Sequence, residues 1–286
     1  MEVSINISDK HLKVATCQFS VSGNISANAR NICFMLREAS GKGADIVHFC
    51  ETALSGYAGS CPEYGVKVFD VSSFKKFDWE KLRCKTHEIM SLAKKLKVWV
   101  VLGSTHYLSE KDKPANCLYV ISSQGKIINR YDKCICTPGD LKAYSPGNRL
   151  VSFSVKGVKC GLLICADASN PNLYHEYRKR GVKVLFHSYY NARFNGQILN
   201  DKIVIPENIC KAKEYGAWVF ANNSSARHSC WPTHVAGPKG FFKKLKRHVT
   251  GILFHELTPQ MLIKDCTIHS GIPSNHPRAL NGKSPP

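Results

Sequence analysis

Three side chains of complementary chemistry stand at the ends of three apolar runs. Glu51 follows DIVHFC, Lys133 follows KIINRYD, and Cys165 closes VKCGLLIC. A thiol can attack a carbonyl or nitrile carbon. A carboxylate can take the thiol's proton and later activate water, and an ammonium can stabilise an oxyanion without competing as an acid. Each residue taken singly also has an ordinary explanation. Cysteine is among the most buried residue types, and this chain holds 13 of them. A glutamate at a strand tip, or a lysine after a hairpin, is commonly a solvated residue. The combination is what would serve covalent chemistry at a C–N bond.

The elements that must position these residues are readable from hydrophobic periodicity. His11–Val21 reads as an opening strand, with Val14, Cys17 and Phe19 turned inward. Asn24 or Ser26 can cap a helix over Asn28–Ser40, which Gly41 and Gly43 end. Asp45–Cys50 is a second strand with Glu51 at its tip, followed by a Gly-rich loop, Thr52–Pro62, that carries Tyr57. Asp78 caps a helix running to Lys97, and Val98–Tyr107 is a strand. Asn116–Ser122 and Lys126–Tyr131 form a hairpin, and Cys134–Gly147 a loop. Leu150–Val155 and Val158–Cys165 form another hairpin. A helix PNLYHEYRKR follows, opened by Pro171, with Leu173 and Tyr177 on one face, and then the strand Val182–His187. Pro206–Tyr215 is a short helix, Ala217–Asn222 a strand, and Thr233–Gly240 and Gly251–Leu257 the last strand-like pieces. Strands apolar on both faces predict an α/β chain with its sheet covered on both sides. Cys165 then lies at the carboxyl end of a strand, where sites of α/β sheets gather.

Composition bounds the rest. A chain of 286 residues can bury a core without disulfides and reads as one domain over residues 1–264 with a tail at 265–286. The pattern fades from Thr258 onward. No CxxC pair is present; Cys134-Ile-Cys136 and His228-Ser-Cys230 have no second half, so no metal site is expected. No secretory segment or apolar run of membrane length is seen, and the chain reads as reduced and cytoplasmic. The net charge of +19 is the unusual feature. It could mark nucleic acid or an acidic surface as partner. Its densest cluster, Lys239–Arg247 (KGFFKKLKR), is short, so a solvated face is the simpler reading and nucleic acid is not the expected partner.

Four ordered motifs resemble the nitrilase superfamily of carbon–nitrogen hydrolases. KVATCQFSVSGNISAN is similar to the family's first strand and helix, GADIVHFCETALSGYAG to its glutamate motif, NRYDKCICTPGD to its lysine motif and GLLICADASNP to its cysteine motif. KAKEYGAWVFANNS resembles a further segment that places Glu214 and Asn222, and THVAGPKG a last one; the resemblance covers roughly residues 13–257. It implies a four-layer α-β-β-α sandwich whose protomers pair as a homodimer or larger assembly. It also implies Glu51 as general base, Lys133 as stabiliser of the oxyanion and Cys165 as nucleophile. The backbone N–H of Ala166 would be a second oxyanion donor, and no cofactor would be needed. A carboxylate at Glu51 in such a site is expected to be raised by desolvation, and Lys133 to favour the thiolate of Cys165.

The chain departs from the family at several positions. Asp140 stands where members often carry a second, substrate-positioning glutamate, and a turn residue beside Gly139 is the alternative reading. Cys50 replaces the proline before the base. Ser169 stands where members acting on N-carbamoyl amino acids hold the substrate carboxylate with arginine. Asp167 reads as a structural hydrogen-bonding residue. Tyr57, Tyr189, Tyr190 and Asn191 are candidates for the pocket wall. The reading is a thiol hydrolase that cleaves a non-peptide C–N bond of a small linear amide or N-carbamoyl amine. Hydrolysis of an organic nitrile and an idle basic binding protein remain as alternatives.

Overall fold

The computed structural model describes residues 11–57, 74, 76–191, 201–227 and 229–262. Two six-stranded mixed sheets form the centre. The first has the order β12-β1-β2-β3-β4-β5 and the second β11-β10-β9-β8-β7-β6. In the first, β1 (Leu12–Gln18), β2 (Ile46–Phe49) and β3 (Trp99–His106) run parallel. The hairpin β4 (Ala115–Ile121) and β5 (Ile127–Asp132) extends it on one side, and β12 (Gly251–Leu257) closes the other. The second sheet repeats the plan, with β7 (Val158–Ile164), β8 (Val184–Ser188) and β9 (Trp218–Asn222) parallel. β6 (Ser152–Val155) lies on one side and β10 (His234–Ala236) with β11 (Phe242–Lys244) on the other, all antiparallel.

Because side chains alternate across a strand, each sheet feeds two cores. Val14, Ile46, Val101, Leu118 and Val120 meet Cys160, Leu162, Ile164, Val184, Phe186 and Phe220 between the sheets. The opposite face of the first sheet, including Ala15, Cys17, Val47, Phe49, Val100 and Leu102, packs under two helices. These are α1 (Ile25–Gly41) and α2 (Trp79–Leu96), which contribute Ile32, Leu36, Ile89 and Ala93. On the far side, Leu163, Leu185 and Val219 pack under Tyr174 and Tyr177 of α4 (Pro171–Lys179) and Ala212 and Tyr215 of α5 (Asp201–Tyr215). The expected α-β-β-α sandwich is what results. Val14 and Cys17 are both buried but on opposite faces of β1, since a strand with helices on one side and a second sheet on the other has no solvent face.

Local signals account for most boundaries. The Asn24 side chain accepts from the Ala27 N–H at 3.0 Å and Asp78 from that of Lys81 at 2.8 Å, capping α1 and α2. Asn170 caps α4, with Pro171 in its first turn. Several expectations need correction. The helix expected from Pro206 begins at Asp201 and carries the proline inside, at the cost of one backbone hydrogen bond. The loop after Lys133 contains a short helix, α3 (Asp140–Ala143), which Asp140 opens. The buried residues of α4 are Tyr174 and Tyr177, with Leu173 only partly covered. The basic run at Lys239–Arg247 holds the edge strand β11, whose exposed Lys243 and Lys244 blunt a sheet edge against further pairing. A last short helix, α6 (Pro259–Leu262), follows β12. The expected tail at 265–286 and most of the loop after Tyr57 lie outside the described residues.

Candidate active site

Glu51 begins the turn after β2, in a place left free by a missing side chain. At Gly103 of β3 a Cβ would sit 1.9 Å from the Cys50 carbonyl oxygen and 2.7 Å from the Thr52 nitrogen, so the two strand ends can approach only because that residue is glycine. The Leu54 N–H donates to the Gly103 carbonyl at 3.0 Å, and Thr52 takes a left-handed φ of 50°, strained for a β-branched residue. This turn aims the Glu51 carboxylate inward, fully buried. Three donors fix it from different elements. Lys133 Nζ at 2.8 Å and Asn116 Nδ2 at 2.7 Å both donate to Oε1, and the Tyr190 N–H donates to Oε2 at 2.7 Å.

Lys133 follows β5 with its backbone clamped. Its N–H donates to the Asn116 carbonyl at 2.9 Å, and its own carbonyl accepts from Gly147 at 2.8 Å. The ammonium, 1% exposed, bridges Glu51 at 2.8 Å and Asp140 at 2.9 Å. An ammonium has three protons, and these carboxylates take two of them. Asp140 accepts in turn from the Tyr57 hydroxyl at 2.6 Å and from the Thr137 N–H and hydroxyl at 2.8 Å each. Asp140 therefore faces the ammonium as well as opening α3. The Tyr57 ring stacks on Tyr190, with centroids 5.2 Å apart and planes at 16°.

Cys165 follows β7 and opens a 3₁₀ turn, Cys165–Ser169, with a left-handed φ of 44°. Asp167 pins this turn. Its carboxylate accepts from the Ile164 N–H at 2.8 Å, the Ile135 N–H at 2.7 Å and the Tyr131 hydroxyl at 2.7 Å, which joins the cysteine turn to the lysine loop. That is the structural role read for it. Ala166 lies in the same turn and is partly exposed.

The electrostatics follow from burial and one cation between two anions. Burial raises the Glu51 pKa; Lys133 opposes the rise and Asp140 adds to it, so it stays above the ordinary carboxylate range. Burial would also raise Asp140, but Lys133 and the Tyr57 and Thr137 donors outweigh it and hold Asp140 low. Burial alone would lower Lys133, yet the charges of Glu51, Cys165 and Asp140 hold it well above its usual value. The Cys165 thiol is pushed up, first by burial and then by Glu51, with Lys133 pulling the other way. Lys133 favours the thiolate, as expected of it, but burial and the carboxylates outweigh one ammonium. The shift favours the thiol over the thiolate.

The remaining wall residues behave differently. Asn191 is held through its backbone, its N–H donating to Asn223 Oδ1 at 2.9 Å and its carbonyl accepting from the Cys230 N–H at 3.0 Å. Tyr189 is buried behind Cys165, against Trp231. Glu214 is exposed on α5, whereas Asn222 ties the sheets together by donating to the carbonyls of Cys17 at 3.0 Å and His48 at 2.8 Å. Asn116 and Thr137 are the members that sequence reasoning missed. An asparagine opening an otherwise apolar strand was the available signal for the first. Among the described residues no cluster of His, Cys, Asp and Glu is arranged to hold a metal ion, and no helix is long and apolar enough to cross a membrane.

The site thus sets a buried ammonium between two carboxylates, with a thiol on a strained turn within their field, at the strand ends of an α-β-β-α sandwich. Residues 13–222 match the carbon–nitrogen hydrolase family, and the chain belongs to that family. Omega-amidase NIT2 of Mus musculus is 28% identical over 195 residues, which cover 64% of this chain and 64% of that protein. The 2-oxoglutaramate amidase of Bacillus subtilis (strain 168) is 28% identical over 176 residues, 60% of this chain and 62% of that one. The matched stretch thus spans just under two thirds of these relatives. In fold, an amidase from Nesterenkonia sp. superposes with a TM-score of 0.71 at 18% identity, over 88% of this chain and 92% of that one.

Proposed function

We propose that the chain is a thiol amidase that hydrolyses a non-peptide C–N bond of a small linear amide or N-carbamoyl amine. The observation that carries this reading is the bridge of Lys133 between Glu51 and Asp140 at 2.8 and 2.9 Å, with the part-buried Cys165 thiol, its pKa raised, in their field. Glu51, its carboxylate raised above the ordinary range, takes the thiol proton as sulfur attacks the carbonyl carbon. The third Lys133 proton and the Ala166 N–H receive the developing oxyanion. Glu51 then passes its proton to the leaving nitrogen, and ammonia or amine departs to leave a thioester. Water activated by Glu51 releases the acid and restores the thiol. Asp140 keeps Lys133 charged and directed, while Tyr57 and Tyr190 flank the acyl group. The names of the relatives, an omega-amidase and a 2-oxoglutaramate amidase, support amides over nitriles, and Ser169 in place of an arginine speaks against N-carbamoyl amino acids. The protein is proposed to pair as a homodimer, which light scattering checks.

The test is intact-mass detection of an acyl adduct across a panel of amides and nitriles, with ammonia release in parallel. Wild type should form an adduct and release ammonia, and Cys165→Ala should do neither while unfolding at the same denaturant concentration. Turnover retained in that variant would overturn the assignment. Adducts from nitriles alone would favour the nitrile reading.

A further inference from the structure

The peptide that follows the nucleophile is gripped from behind. His187, the fourth residue of β8, is fully buried, and its Nε2 lies 3.2 Å from the Cys165 carbonyl oxygen. A carbonyl only accepts, so Nε2 carries a proton. Burial, reinforced by Lys211, keeps the ring neutral, so Nδ1 is an acceptor. Two hydroxyls face Nδ1, Tyr189 at 2.9 Å and Tyr174 at 3.4 Å. Tyr189 also lies 3.3 Å from Asn208 Oδ1; Asn208 Nδ2 is 3.0 Å from His234 Nε2, and His234 Nδ1 is 3.1 Å from the Pro232 carbonyl. That carbonyl fixes the His234 tautomer, which fixes the Asn208 amide, which leaves its oxygen for Tyr189. Tyr189 has one hydroxyl proton for two acceptors, His187 Nδ1 and Asn208 Oδ1, and the Tyr174 hydroxyl is the other donor facing Nδ1; in either arrangement the His187 Nε2–H donates to the Cys165 carbonyl.

The carbonyl that it holds belongs to the peptide bond shared by Cys165 and Ala166. Among the described residues no peptide bond is cis, and in a trans peptide the C=O and N–H point in opposite directions. Ala166 lies in the first turn of the 3₁₀ helix, where an N–H has no acceptor within the helix. Fixing the carbonyl on one side thus fixes the Ala166 N–H on the other. It also restrains Cys165 in its left-handed conformation, which a non-glycine residue keeps only when its surroundings hold it there. We propose that His187 is a positioning residue: by donating to the Cys165 carbonyl it aims the Ala166 N–H at the oxyanion. The proposal deepens the amidase reading and rests on its use of that N–H.

Two probes of the thiol separate this role from general support. Iodoacetamide alkylates the sulfur by displacement; an S–C bond forms, the C–I bond breaks, and no oxyanion develops. A small aliphatic aldehyde adds reversibly; an S–C bond forms, the C=O π bond opens, and the thiol proton ends on the new oxygen, which lies where the oxyanion would. His187→Phe keeps the ring and loses the donor. It should weaken aldehyde binding roughly 10- to 100-fold, less than the loss of an oxyanion donor itself, while alkylation stays within about two-fold of wild type. His187→Gln, whose amide can reach the same carbonyl, should restore aldehyde binding to within about three-fold. His187→Asn, too short to reach it, should behave as the Phe variant does and replaces it if that variant does not fold. Equal aldehyde affinity in wild type and the donor-less variants overturns the proposal, as does a parallel fall in alkylation or no aldehyde binding by wild type. Aldehyde addition needs no turnover, so failure of the amidase reading shows separately, as absent ammonia release by wild type.

Discussion

Replacing Asp140 with asparagine removes one charge from the site while preserving its shape. Oδ2 of Asp140 accepts from Lys133 and twice from Thr137, whereas Oδ1 accepts only from Tyr57. The asparagine oxygen takes the first place, and its NH₂ faces Tyr57, whose hydroxyl can turn to accept. At 2.9 Å the Lys133–Asp140 attraction is about 6 kcal/mol gross at an effective dielectric near 20. Desolvation of the carboxylate offsets most of this, and the variant still leaves Lys133 paired with Glu51, so stability should change by less than about 2 kcal/mol. The rate should fall further. Exchanging a charge-assisted hydrogen bond for a neutral one costs about 1–2 kcal/mol of Lys133 orientation, or roughly 5- to 30-fold in kcat/KM. The pH profile carries the sharper signature. Asp140 helps to raise Glu51, so its neutralisation should move the acidic limb of kcat/KM to lower pH. The assay is ammonia release against pH, with urea unfolding alongside. Asp140→Ala, which strands four donors, should lose more than about 100-fold. A wild-type rate and an unmoved limb in both variants would leave Asp140 as a turn residue beside Gly139 and refute the reasoning.

Glu51→Gln should abolish turnover yet unfold at the same or a higher urea concentration at neutral pH. The folded-state pKa of Glu51 is raised, so its contribution to stability is full below the ordinary carboxylate range and is lost as pH rises through the raised value. The glutamine advantage should therefore grow with pH, and a constant difference would contradict the raised pKa. Asp167→Ala strands the Tyr131 hydroxyl and the Ile135 and Ile164 N–H groups, and should cost at least about 3 kcal/mol in denaturant melts; a loss under about 1 kcal/mol would show that the turn does not depend on it. Gly103→Ala puts a methyl group against the Cys50 carbonyl and should displace Glu51, lowering kcat/KM by more than about 100-fold. An active, normally stable alanine variant would show that the approach of β3 to the Glu51 turn is not needed.

The layers and the three candidate side chains were legible because each rests on a local pattern: an apolar run of strand length with a chemically distinct residue at its end. Glu51, Lys133 and Cys165 all have that form. Asn116 lay hidden because its partner is 65 positions away and no local rule links them. His187 read as the end of a buried strand, and its donation to Cys165 depends on the parallel register of β7 and β8. The net direction of the Cys165 shift was not legible, because its sign depends on how far burial outweighs one lysine, a quantity of the packed interior. Pro206 misled as a helix start because backbone upstream of it turned out to be helical.

The pairing of β1 with β12 has a consequence for how the molecule is made. Leu12 pairs with Leu257 and Gln18 with Gly251, so β1 waits for a strand translated much later. At bacterial or eukaryotic elongation rates that interval is roughly 10–50 s. Throughout it, one edge of the first sheet offers unsatisfied backbone groups to other chains. A ribosome stalled before Gly251 would hold a nascent chain with the motifs of Glu51, Lys133 and Cys165 already translated but its sheet unsealed, and association of such chains is the hazard this topology sets during synthesis.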